Sequence, residues 1–180
     1  MRVFVSLAFL VLLSCLESER TPEFFLEQSN PYRHFFFFSR PDHEASLIEK
    51  RRPLEALISL IDGAKTELLL FCYSLDQEEI VEALARAHHR GVKLRIIGDP
   101  EENYPLLQGK AFLIERRERS GLQHVKLALA DHRHLFTGTG NFTRSGFFHN
   151  NNAFWKFQLT EDEGARLQDM LLEKENSILR

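Results

Sequence analysis

Residues 66–99, "TELLLFCYSLDQEEIVEALARAHHRGVKLRIIGD", decide the fold. The apolar run from Leu68 to Cys72 has the length of a strand buried on both faces. Asp76 and Glu79 form a capping-box-like pair, after which Ile80, Ala83, Leu84 and Ala87 recur at helical spacing until Gly91 closes the segment. A second strand, "VKLRIIGD", follows at once. Strand, helix and strand joined by short connections predict a βαβ unit whose two strands run parallel.

The same grammar extends in both directions. Upstream, Leu54, Leu57, Ile58 and Ile61 follow Pro53 at helical spacing and Gly63 ends the pattern, which predicts a helix over 53–62. "HFFFFS" at 34–39 reads as a strand buried on both faces. Downstream come a loop, a short strand "AFLIE", a hairpin built from "LQHVKLALA" and "LFTGTGN", and a further strand "FWKFQLT". Thr160 and Glu163 cap a last helix with Leu167, Met170 and Leu171 on one side. The expected fold class is α/β: a single domain over 34–180 with a mixed, mainly parallel sheet and helices on both faces. A chain of 180 residues, 43% hydrophobic, is long enough to bury one such core.

The first fifteen residues have a different composition. Arg2 precedes an apolar run from Val3 to Leu13, broken only by Ser6, which has the length of a signal-peptide core and falls short of the roughly 20 residues of a membrane span. "LLSC" at 12–15 resembles a bacterial lipobox, in which Cys15 becomes the lipidated first residue of the mature chain. A cleaved soluble signal, an uncleaved anchor and a buried N-terminal strand are the alternatives. Residues 16–33, with two prolines and mixed charge, read as a linker. The expected location is therefore exported: anchored to a membrane through the N-terminus, or periplasmic or secreted. With Cys15 so committed, Cys72 has no disulfide partner and reads as a small buried hydrophobe.

A net charge of −3 gives no global basic field, so any grip on nucleic acid must come from local patches. The runs at 50–52 and 116–120 read as surface charge, with phosphate-backbone contact the alternative for the second.

The hairpin "HVKLALADHRHLFTGTGN" at 124–141 carries chemistry that core packing does not ask for. Strand alternation sets Leu122, His124, Lys126, Ala128 and Ala130 on one face. Burying an ammonium without an anion is costly, so a face with His124 beside Lys126 calls for an anionic ligand. Asp131 stands at the turn, where an aspartate braces backbone amides. The return strand brings Thr139 and Asn141 back, with Gly138 and Gly140 open to close approach of a ligand. Lys126, Thr139 and Asn141 can donate to phosphate oxygens while His124 supplies a nitrogen nucleophile, a phosphoryl-transfer site that needs neither metal nor cofactor.

His124, Lys126, Asp131, Gly138, Thr139 and Asn141 spell H-x-K-x4-D-x6-G-(S/T)-x-N, which resembles the HKD signature of the phospholipase D superfamily. Six specified positions arise by chance in on the order of one chain in 10⁵ to 10⁶ of this length, so the resemblance is specific. It extends along residues 34–175, through "FFFFSRP", "ALISLIDGAKTELLLFCYSL", "IVEALARAHHRGVKLRIIGD" and "NFTRSGFFHNNN". With one copy of the motif, the chain is similar to the small single-motif branch that includes Nuc-type bacterial endonucleases and a mitochondrial-surface member of animals.

The resemblance implies a homodimer in which each chain contributes one motif to a shared site, a C2 arrangement. It implies that His124 of one subunit attacks phosphorus and His124 of the other protonates the leaving alcohol. Lys126 and Asn141 would stabilise the phosphoryl charge with help from Thr139, and Asp131 would brace the hairpin and the partner contact. Relatives place a carboxylate shortly after the signature to orient the histidine. Asn152 stands at that position here and offers an amide without charge, which lowers the expected histidine pKa and rate. The implied substrate is a phosphodiester: nucleic acid first, membrane phospholipid as the alternative, with a noncatalytic binding module as the third reading.

Overall fold

The computed structural model describes residues 34–41, 47–112, 114–116 and 121–173. The leader, Cys15, the linker and most of the basic run at 116–120 lie outside them.

Among the described residues, seven strands form one sheet: β1 (His34–Ser39), β2 (Glu67–Cys72), β3 (Lys93–Gly98), β4 (Ile114–Arg116), β5 (Leu127–Ala130), β6 (His134–Gly138) and β7 (Asn152–Gln158). Their order across the sheet is β1-β7-β6-β5-β2-β3-β4. The βαβ unit pairs β2 with β3 in parallel, Leu70 opposite Ile96, and β4 extends it in parallel. The four other pairings, β1·β7, β7·β6, β6·β5 and β5·β2, are antiparallel. The sheet is mixed as expected, but "mainly parallel" holds only for direction. Following the pairings, β1, β2, β3, β4 and β6 point one way and β5 and β7 the other, while only two of six neighbouring pairs are parallel. The reason is local: β5 and β6 are joined by a tight turn and β6 and β7 by a loop carrying the short helix at 144–148, both returning the chain antiparallel, while the parallel neighbours β2, β3 and β4 are joined by longer crossovers.

Helices cover both faces. On one side α1 (Leu47–Gly63), α2 (Glu78–His89) and α3 (Arg144–Phe148) pack Leu54, Leu57, Ile61, Ile80, Leu84 and Phe147 onto Leu68, Leu70, Ile96, Ala128, Ala130, Phe136 and Phe154. On the other, α4 (Glu161–Glu173) lays Leu167, Leu171 and Leu172 against Leu69, Phe71, Ile97, Leu127 and Leu129. The alternation of β2 and β5 between these two clusters is why both strands read as continuous apolar runs. The α4 start is a reciprocal capping box: the Thr160 amide donates to Glu163 Oε2 at 2.8 Å and the Glu163 amide to Thr160 Oγ1 at 3.3 Å.

Three local expectations are corrected. Helix α1 begins six residues before Pro53, which lies inside it, because "LIEKRR" consists largely of good helix formers. Asp76 does not cap α2; the N-cap is Gln77, and Asp76 Oδ1 accepts the Arg144 amide instead at 2.7 Å. The Phe run of β1 is buried on one face only, with Phe37 9% exposed but Phe36 and Phe38 54% and 61%. β1 is an edge strand, and α4 packs over the middle of the sheet rather than over β1.

Candidate active site

The registers bring one set of chain segments to one edge of the sheet. β2 and β3 end there at Cys72 and Gly98, and β5 begins there, since Leu127 pairs with both Phe71 and Thr137. β6 ends there at Gly138, opposite Phe154 near the start of β7. Tyr73, Asp99, His124, Lys126, Thr139, Asn141 and Asn152 therefore all flank the same edge, the side on which parallel strands end and α/β sheets bind ligands.

The strand expected over 122–130 begins only at Leu127, and residues 122–126 form an extended lead-in. That segment is held by Asp99, 1% exposed, whose Oδ2 accepts the Gln123 amide at 2.7 Å and whose Oδ1 accepts the Glu101 amide at 3.0 Å. Tyr104 locks Asp99 in turn: its hydroxyl accepts the Asp99 amide at 2.8 Å and donates to the Tyr73 carbonyl at 2.6 Å. Burial pushes the Tyr104 phenol above its ordinary range, so it stays a neutral donor.

Out of this brace the two basic side chains take different environments. His124 is exposed, with its ring 5.5 Å from the Tyr73 ring. Lys126 is 4% exposed. Its Nζ donates to the His124 carbonyl at 2.8 Å and sits 5.6 Å from the centre of the Tyr73 ring, a cation–π contact. Among the described residues no carboxylate pairs with it, and burial holds its pKa below the ordinary lysine value. Glu102 raises the pKa of the Tyr73 phenol above its ordinary value, and Ser74 Oγ donates to Glu102 at 3.1 Å. A buried ammonium served by one carbonyl and one aromatic face is the strongest electrostatic demand at this edge, and an anion would meet it.

The other signature residues form a second cluster. Thr139 Oγ1 donates to Asn152 Oδ1 at 2.9 Å and accepts the Ala153 amide at 3.1 Å, while Asn152 Nδ2 donates to the Gly146 carbonyl at 2.8 Å. Among the described residues, then, Asn152 orients Thr139 and the α3 turn, and its hydrogen bonds do not reach the His124 ring. Asn141 makes no side-chain hydrogen bond among the described residues, and its Oδ1 is buried without a partner. Gly138 and Gly140 serve packing where the sequence reading had a ligand. A Cβ on Gly140 would stand 2.6 Å from Phe154 Cζ and 2.8 Å from Asn152 Nδ2, and one on Gly138 would stand 2.5 Å from Phe154 Cδ1. Phe154 stacks on Phe136 and Phe147, with ring centres 5.6 and 5.0 Å apart, so the glycines let the site loop settle on an aromatic floor.

Asp131 is not brought to the imidazole. It lies at the other end of β5, with the four strand residues between it and Lys126, five residue steps or about 16 Å along the strand. Its carboxylate accepts the amides of Lys65, Thr66 and Glu67 at 2.9, 2.8 and 3.1 Å and the Thr66 hydroxyl at 2.7 Å. These donors overcome the opposing effect of burial and hold its pKa at about 2. Asp131 and His132 both have positive φ, 52° and 55°, the pattern of a tight hairpin turn that aspartate tolerates well. Its role visible here is to tie the hairpin to the start of β2.

Asp99, Tyr104, Tyr73 and Glu102 escaped the sequence reading. The position of Asp99 at the carboxyl end of a parallel strand was a usable signal. The other three owe their roles to contacts between segments.

Comparison with known proteins agrees with this geometry. The family model described as "Cardiolipin synthase, PLD-like domain" matches residues 57–165, more than half of the chain. "Mitochondrial cardiolipin hydrolase" of Canis lupus familiaris is 31% identical over 118 residues, 62% of this chain and 44% of that protein, and its Mus musculus counterpart is 30% identical over 111. The chain thus spans about half the length of these relatives. In fold it is similar to Nuc of Salmonella typhimurium, a phospholipase D family member, with TM-score 0.62 at 22% identity over 79% of this chain and 93% of that one. NucT from Helicobacter pylori is comparable, with TM-score 0.61 at 21% identity over 80% and 95%. The chain belongs to the phospholipase D superfamily.

Proposed function

We propose that this chain is a phosphodiester hydrolase working through His124, without a metal, at a site shared by two copies, and that it cleaves nucleic acid. The observation that carries the reading is the buried Lys126 ammonium, without a carboxylate partner among the described residues, next to the exposed imidazole of His124. A phosphate bound there would neutralise Lys126 while presenting its phosphorus to the ring. The His124 nitrogen forms a bond to phosphorus as the P–O bond to the leaving alcohol breaks, and that oxygen takes a proton from His124 of the second copy. Water then gives its proton to the second imidazole and attacks the phosphohistidine, releasing the phosphomonoester and restoring both rings. Lys126, with Asn141, stabilises the charge that gathers on the equatorial oxygens, while Thr139, whose hydroxyl is donated to Asn152, holds the loop that carries Asn141.

A phospholipid substrate is the second reading, favoured by the relatives named cardiolipin hydrolase. The test is hydrolysis of single-stranded DNA, RNA and cardiolipin by the purified chain in EDTA. His124→Ala should lower the rate on the true substrate at least about 10³-fold with the melting temperature unchanged, since the residue is exposed. Retained activity in that variant sinks the nucleophile, and a strict monomer in sedimentation sinks the shared site.

A further inference from the structure

A second basic feature lies beyond the signature. A cleft of about 440 Å³ opens between α1, the start of α2 and α3, lined among others by Lys50, Arg51, Glu79, Arg144 and His149. Its charges are not balanced. Arg51 is spent on Glu79, with nitrogen–oxygen distances of 2.6 and 3.3 Å, so this pair cancels. Among the described residues, Lys50 Nζ donates to the Pro41 carbonyl alone, at 3.2 Å. The Arg144 main chain is fixed by Asp76, yet its guanidinium has no acceptor among the described residues. Among the described residues, two cations and the imidazole of His149 therefore face the cleft without a further carboxylate in its lining.

The cleft adjoins the site along two short stretches of chain. Arg144 follows Asn141 by three residues and Gln77, which also lines the cleft, follows Tyr73 by four, so the Cα separations are at most about 11 and 14 Å. A bridge between Leu75 and Phe142 ties the two stretches together. A strand with a phosphate on every nucleotide covers such a span in a few linkages.

We propose that this cleft binds a second phosphate of the strand being cleaved, through Lys50 and Arg144, and so makes a nucleic-acid strand with several phosphodiesters the preferred substrate. This deepens the hydrolase reading above and rests on it for the word substrate, although the binding itself does not depend on catalysis.

The experiment compares the wild-type full chain with K50Q/R144Q and with the charge-preserving K50R/R144K, each checked for folding by circular dichroism. Binding of a fluorescent single-stranded oligonucleotide is followed by anisotropy against salt. The glutamine pair should bind about tenfold more weakly, with a log–log salt slope lower by about 0.7 for each cation lost, and the arginine–lysine pair should bind like the wild type. Hydrolysis of bis(p-nitrophenyl) phosphate, which has one phosphodiester and nothing for the cleft, should be equal in all three. Oligonucleotide binding unchanged in K50Q/R144Q overturns the inference, as does loss of binding to cardiolipin vesicles in place of oligonucleotide. Failure of the wild type to cleave either substrate would remove the hydrolase reading while the anisotropy still decides the cleft.

Discussion

The two ends of β5 each carry a buried or half-buried charge, and they are handled in opposite ways. At one end the Asp131 carboxylate accepts four hydrogen bonds from residues 65–67. At the other, the more deeply buried Lys126 ammonium has one carbonyl and one aromatic face. A charge whose donors all come from its own chain is architecture. One left short of counter-charge within the described fold is what the proposed phosphate site rests on.

This contrast can be broken by exchanging the two roles experimentally. The largest effect should come from Lys126→Met: hydrolysis falls about 10²- to 10³-fold through lost transition-state stabilisation. Thermal stability in that variant should hold or rise, because a buried, unpaired cation is replaced by a side chain of similar shape. A large drop in melting temperature would make Lys126 architectural. Because the Lys126 pKa is lowered, wild-type activity should also decline at alkaline pH before an ordinary lysine would titrate.

Asp131→Asn should act the other way, destabilising the fold while leaving the rate per folded molecule near wild type. The folded pKa of about 2 lies below the ordinary aspartate value of 3.8, so the carboxylate contributes stability at pH above 4 that is lost as pH falls through 2. That contribution is about 2 kcal/mol, so denaturant titrations between pH 5 and 2 should show the wild type losing about that much more than the variant. Equal slopes would mean that the hairpin tie is weaker than its geometry implies.

An effect on stability of the same order, with the rate per folded molecule again near wild type, should come from Gly140→Ala, where the added Cβ meets Phe154 and Asn152. A loss of about 1–3 kcal/mol in chemical denaturation is expected for overpacking of this kind. An unchanged stability would show that the Phe154 ring can yield, and the aromatic floor would then be softer than its stacking indicates.

Much of this was legible along the chain. The βαβ unit, the capping box at Thr160 and Glu163, and the hairpin follow from short-range periodicity and turn chemistry, which act within a few residues. Asp131 as a hairpin brace was readable for the same reason. The Asp99–Gln123 bond, the Tyr104 latch and the placing of Tyr73 between His124 and Lys126 were not, because each joins segments at least 24 residues apart or depends on sheet order. The exposed half of the Phe run was hidden for a related reason: four phenylalanines in sequence look alike whether a strand is central or at an edge.

By itself the sequence determined the residue types of the chemistry, their spacing in one hairpin, and the alternation that puts Lys126 on the same face as Ala128 and Ala130. These are local properties, set by strand geometry and by the chemistry of each side chain. Only the tertiary structure decided that Lys126 is buried while His124 is exposed, that Asp131 stays at the far edge, that the glycines admit Phe154, and that Asn152 holds Thr139. Burial and partner choice depend on which strands become neighbours and which helices cover them, and that is a property of the whole sheet.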